Sequence, residues 1–101
     1  MKLVQNRYQL DGIDVIGLVE KYGSPVYVYQ TSKMKQQYEK MLHAFKDIPV
    51  KINFACKALN NFNVLTFFRK LGSGLDAVSI QEVQLGLKAG FKPQDIIFTP
   101  N

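Results

Sequence analysis

Lys57 is the residue of this 101-residue chain whose surroundings most need a chemical account. It stands among Ala55, Cys56 and Ala58 at the end of an apolar run, where an unpaired buried ammonium costs several kcal/mol. Three outcomes satisfy the physics. The side chain snorkels to water, it finds a carboxylate, or it stays neutral as a free amine. The free amine is the nucleophile that Schiff-base chemistry turns on an aldehyde. Asp76, between Leu75 and Ala77, is the natural carboxylate to consider next, because strands of a parallel sheet are normally buried on both faces. Either it pairs with Lys57 across neighbouring strands, holding the lysine or a cofactor, or it faces water at a strand end. Glu82 has a structural explanation already: as the third helical residue after Ser79 it closes a capping box. Cys56 alternates with Phe54 and reads as core packing rather than a nucleophile. His43 has no Ser, Cys or Asp partner at a recognisable spacing and belongs on the polar side of its helix. Gly72 and Gly74 lack the third glycine and the lysine of the phosphate-binding loops, so they read as a helix stop and a turn.

The elements that must position these residues follow from periodicity. Ile13, Ile16, Val19 and Tyr22 share one side of a first helix over 13–22, stopped by Gly23 and the Ser24-Pro25 turn. Val26-Tyr27-Val28-Tyr29 is β-branched and aromatic throughout and predicts a strand. Thr31 or Ser32 caps a helix running to about Phe45, and a second strand spans 50–56. Alternation there puts Val50, Ile52, Phe54 and Cys56 on one face and Lys51, Asn53, Ala55 and Lys57 on the other. Asn60 or Asn61 caps a third helix carrying Val64, Phe67, Phe68 and Leu71, and Gly72 ends it. A strand over 75–78, a helix uniting Ile80, Val83 and Leu87, and a last strand over 95–99 complete the chain. Strands alternating with single helices predict an α/β protein with a parallel sheet. An open doubly wound sheet and a closed eight-unit barrel share this beginning; eight such units would need about 200 residues. The chain holds three units and a strand, and the ending Phe98-Thr99-Pro100-Asn101 reads as an interruption.

Composition narrows the class. Apolar residues make up 47% and charged residues 21%, as in ordinary globular proteins, so global disorder is excluded. No apolar run approaches a membrane span, and the N-terminus turns polar before a signal-peptide core could form. One cysteine allows no intrachain disulfide and fits a reducing, cytoplasmic setting. The net charge of +5 invites nucleic acid, but Lys33, Lys35, Lys40 and Lys46 alternate with apolar residues at helical spacing and read as a wetted helix face. No nucleic-acid or membrane partner is expected.

Three segments in order resemble the pyridoxal-phosphate-dependent barrel decarboxylases. They are Tyr22-Gly23-Ser24-Pro25-Val26-Tyr27-Val28-Tyr29, then Phe54-Ala55-Cys56-Lys57-Ala58, then Leu71-Gly72-Ser73-Gly74-Leu75-Asp76-Ala77-Val78-Ser79 with Glu82. The stretch from Gly90 to Phe98 resembles the family's next strand and its approach. The chain departs from the commoner pattern at Leu59, where Asn usually follows Lys-Ala, and at Ile80-Gln81, where two glycines are usual. The resemblance implies the first three to four βα units of a truncated (β/α)8 barrel, with pyridoxal 5′-phosphate as cofactor and no metal. It divides the chain into a lead-in at residues 1–25 and a partial pyridoxal-phosphate-binding barrel at residues 26–101, with a C-terminal β domain absent. Lys57 matches the covalent anchor of the cofactor, Ala55 a position lining its ring, and Asp76 a carboxylate close to the lysine. For the full-length parent it implies a cytoplasmic homodimer that takes carbon dioxide from the D-centre of meso-2,6-diaminopimelate, leaving L-lysine. Decarboxylation of ornithine, arginine or carboxynorspermidine on the same strand, or a non-catalytic cofactor-binding barrel, are the alternatives. The 101 residues alone are expected to be inactive, to bind the cofactor weakly and to associate through open strand edges.

Overall fold

A computed structural model describes residues 1–100, which form two compact units, one over Met1–Glu39 and one from Lys40 onward. The first unit opens with an antiparallel sheet of β1 (Lys2–Val4), β2 (Arg7–Leu10) and β3 (Ile13–Asp14). Two-residue turns join the strands, Gln5-Asn6 and Asp11-Gly12, all four at positive φ as a type I′ hairpin turn requires. The helix predicted from Ile13 begins later, as α1 (Val15–Tyr22), because Ile13 is spent on pairing with Leu10. Asp14 caps it, its carboxylate accepting from the Gly17 N–H at 2.9 Å, and Gly23 stops it with an N–H donated to the Val19 carbonyl at 2.8 Å. Its expected buried side is not buried: Ile16 and Tyr22 are 51% and 63% exposed.

Residues 26–29 form no ladder, contrary to the predicted strand; β propensity describes fit to a neighbouring strand, and here none pairs with them. Next comes α2 (Thr31–Ala44), with the boundary between the units inside it. Neither Thr31 nor Ser32 caps it. The Gln30 carbonyl receives the Lys33 and Met34 N–H groups, and Ser32 instead donates its hydroxyl to Asp11 at 2.6 Å. Gln30 donates to the other Asp11 oxygen at 2.8 Å, which clasps the hairpin turn to the start of α2. The α2 lysines are exposed, as a wetted face requires.

The second unit is the parallel sheet. Its strands β4 (Asn53–Ala55), β5 (Gly74–Ala77) and β6 (Ile96–Phe98) lie side by side in chain order, separated by α3 (Phe62–Lys70) and α4 (Ile80–Lys88). The predicted second strand is shorter than 50–56 because Cys56–Ala58 winds into a 3₁₀ turn. Asn61 caps α3 through the N–H groups of Asn63 and Val64, and Ser79 caps α4 through that of Glu82. The core joins Cys56, Leu65, Leu75, Ala89 and Phe91, with Phe54, Leu85 and Ile96 against it. Ile80 and Leu87 were expected to face this core and are instead exposed. Gly86 takes their place, so close to β5 that a Cβ there would stand 2.3 Å from Leu75 Cδ2 and 3.5 Å from Ile96 Cδ1. A helix lies that near a strand only through a residue without a side chain.

Two predictions follow from this packing. Gly86→Ala gains up to about 1 kcal/mol of helix propensity but overpacks a site where Leu75 is fully buried, at a cost of about 1–3 kcal/mol. The midpoint of urea unfolding should therefore fall; an unchanged or raised midpoint would show that α4 can lift from the sheet at no cost. The hydrogen bond from Ser32, and then that from Gln30, hold the Asp11 carboxyl below its usual value. The clasp is thus fully present above the ordinary carboxylate range and is lost as pH falls through the lowered value. An NMR titration of the Asp11 carboxyl carbon should show this low midpoint, and titration at the value of an unpaired aspartate would disprove the clasp.

Candidate functional site

Parallel strands in one register end at the same edge, and that carboxyl edge collects ligands in sheets of this kind. Phe54 stacks on Phe68 with ring centroids 4.3 Å apart and 18° between planes, so β4 turns Phe54 toward the helices. Alternation then gives Asn53 and Ala55 the opposite, inner face. Register partners share a face: Ala55 pairs with Asp76 and Asp76 with Ile97. Ala55 and Asp76 are thus brought together, both half-buried, at the end of neighbouring strands.

Lys57 lies two residues beyond Ala55, in the 3₁₀ turn rather than on the strand. Cys56 is completely buried and anchors this turn, and the Leu59 N–H closes it on the Cys56 carbonyl at 3.0 Å. Lys57 itself is exposed, and its ammonium has no hydrogen-bond or ion-pair partner among the described residues. Asp76 is engaged elsewhere: Thr99 donates its hydroxyl to Asp76 Oδ1 at 2.6 Å, while the Thr99 N–H donates to the Ala77 carbonyl at 2.9 Å. Thr99 was not among the sequence candidates. The signal was there in its parity, two residues past Ile97 and hence on the inner face.

Glu82 departs from the capping box by one residue. Its N–H does reach Ser79 Oγ, at 3.2 Å, but its carboxylate accepts from the Val78 N–H at 2.8 Å rather than from Ser79. It therefore secures the chain as it leaves β5. Burial, and then the Glu82 charge, push the Cys56 thiol up, which keeps it uncharged and unreactive as expected of a packing residue. His43 is exposed. Gly72 ends α3 as expected; Gly74 is not a turn but the first residue of β5, where a Cβ would fall 1.9 Å from Asn53 Oδ1. Asn53 Oδ1 is buried on this inner face without a partner, below the Ala55–Asp76 pair. Among the described residues no His, Cys, Asp or Glu cluster could hold a metal ion.

An exposed, unpartnered primary amine in the turn just past the paired Ala55 and Asp76 has the chemistry to take an aldehyde cofactor. Comparison with known proteins points the same way. Residues 31–101 match the model of the pyridoxal-dependent decarboxylase, pyridoxal binding domain. The chain is 35% identical over 94 residues to a diaminopimelate decarboxylase of Methanothermobacter thermautotrophicus, covering 91% of this chain and 22% of that protein. It is 43% identical over 82 residues to the Helicobacter pylori enzyme, covering 81% and 20%. The crystal structure of M. jannaschii diaminopimelate decarboxylase in co-complex with L-lysine superposes with a TM-score of 0.95 at 30% identity, over 99% of this chain and 24% of that one. The chain thus spans about a fifth to a quarter of the length of the relatives it matches. Such agreement over nearly every residue, in sequence and in backbone, places the three parallel strands at the start of a barrel, and the chain belongs to the pyridoxal-dependent decarboxylases.

Proposed function

We propose that the full-length protein decarboxylates meso-2,6-diaminopimelate to L-lysine, with pyridoxal phosphate carried on Lys57. The observation that carries this is the free Lys57 amine held by a buried Cys56 at the carboxyl edge of the sheet. The substrate assignment draws on the relatives: the similar proteins are diaminopimelate decarboxylases, and two of the similar solved structures, from M. jannaschii and H. pylori, hold L-lysine. A lysine/ornithine decarboxylase of Vibrio vulnificus, at 24% identity, shares the fold alone.

When bound, the cofactor supplies a conjugated ring that takes up the electron pair left as the substrate carboxylate departs. The protein's own part is positional. Lys57 provides the attachment point and, once its amine is free, a base or acid within reach of the reacting centre. Ala55 leaves the inner face open beside it, and Asp76 provides a carboxylate at the same edge to serve the amine as counter-charge. Cys56 only packs. On this reading residues 1–25 lead in, residues 26–101 begin the barrel, and a β domain follows it in the full-length protein. The enzyme works as a cytoplasmic homodimer on this reading, and no helix of the described residues is long and apolar enough to cross a membrane.

The test is Lys57→Ala in the full-length protein. It should abolish both decarboxylation and the visible absorption of lysine-bound cofactor, since no neighbouring Ala or Cys can replace the amine. Near-normal turnover with that absorption intact would assign the anchor to one of the other ten lysines.

A further inference from the structure

Asp76 and Thr99 make the one hydrogen bond between two side chains at the carboxyl edge of the parallel sheet, among the described residues. We propose that Thr99 is a positioning residue that acts on Lys57 through Asp76. The inference rests on Lys57 being the cofactor lysine. At 2.6 Å the contact has the length of a hydroxyl donating to an ionised carboxylate, and such charge-assisted bonds are stronger than neutral ones. Thr99 is itself well placed to aim that hydroxyl. Its N–H is tied to the Ala77 carbonyl, and its β-branched side chain has few rotamers to lose.

One Asp76 oxygen is thereby pinned, and the other has no partner among the described residues. Left alone, a carboxylate turns freely about its last bond. Pinned, it keeps its second oxygen as a fixed acceptor. Ala55, beside Asp76 in the register, raises no obstacle between them, and Lys57 starts two residues further along the same chain. Adjacent strands lie about 4.8 Å apart, so the free oxygen falls within the sweep of the lysine side chain. Thr99 therefore sets where the amine finds its counter-charge, without touching the amine.

The experiment uses the full-length protein stripped of cofactor, and follows the rate at which Lys57 captures added pyridoxal phosphate, with borohydride reduction and peptide mapping to identify the lysine. Thr99→Val keeps the shape and removes the donor; it should slow capture roughly tenfold and lower kcat with little change in KM. Thr99→Ser should restore both. In an Asp76→Asn background Thr99→Val should add nothing further. Should Thr99→Val fail to fold, as judged by circular dichroism, Thr99→Ala carries the same expectation. Capture by the valine or alanine variant at the wild-type rate, or effects of positions 76 and 99 that simply add, would overturn the role of Thr99 while leaving Lys57 as the anchor. Failure of the wild-type protein to capture the cofactor on Lys57 would remove the functional reading, and this inference with it.

Discussion

The contact between Leu75 and Gly86 is the one on which the rest of the parallel sheet depends. Leu75, in the central strand, is completely buried, with Phe54 and Ile96 as its register partners on either side. Burying a leucine of this kind is worth roughly 1.5–3 kcal/mol, but only if something seals it. Here α4 seals it by bringing backbone, not side chain, against it. That close approach holds the hydrophobic face of three strands in one register. The register in turn decides that Ala55 and Asp76 finish level with each other. The chemistry at the carboxyl edge is thus set by a contact on the opposite face.

The two carboxylates at the end of β5 and just beyond it divide their work by what they bind. Glu82 is committed to the Val78 N–H, a fixed partner that steadies the exit from β5. Asp76 is held on one oxygen by a hydroxyl and keeps the other open. Its neighbour Cys56 adds no charge, because burial and the Glu82 charge both oppose ionisation of the thiol. A buried residue followed at once by an exposed one is what the 3₁₀ turn at Cys56–Ala58 allows. One oxygen of Asp76 is thus left open at this edge, while Lys57 stands exposed without an ion-pair partner among the described residues.

The βαβ order was legible because each element carries its own punctuation. Asn61 and Ser79 cap their helices, and Gly23 and Gly72 end theirs, where the residue types indicate. The strand containing Ala55 was legible in its faces, though not in its length, since nothing in Cys56-Lys57-Ala58 distinguishes a 3₁₀ turn from continued strand. The N-terminal hairpins are obscured in the sequence: Asp11-Gly12 is a strong hairpin signal, but the helical spacing of Ile13, Ile16 and Val19 competes with it. Helical periodicity likewise chose Ile80 and Leu87 for the core, because a hydrophobicity pattern gives no weight to a glycine such as Gly86. Residues 26–29 show the remaining gap: a strand's propensity is local, whereas its ladder needs a partner. Within the candidate site, type and spacing singled out Lys57 and Asp76 and the family resemblance added Ala55, while Thr99 required knowing that Ile97 and Asp76 are neighbours.

On the inner face β4 and β5 alternate large and small residues layer by layer. In the lower layer β4 supplies Asn53 and β5 supplies only Gly74, over which the Asn53 side chain lies. One layer up the roles reverse: β5 supplies Asp76 and β4 only Ala55. Asn53 Oδ1 is buried there without a donor, and a buried unsatisfied acceptor costs about 1–3 kcal/mol. It is retained at the floor of the face, while the layer above is kept short by Ala55. Lys57 follows in the 3₁₀ turn just past the end of β4, two residues beyond Ala55. A ligand reaching this layer of the inner face would meet the small Ala55 on β4 rather than a bulky residue. A larger side chain at position 55 would cover this end of the inner face and crowd Asp76 across the register even with Lys57 unchanged.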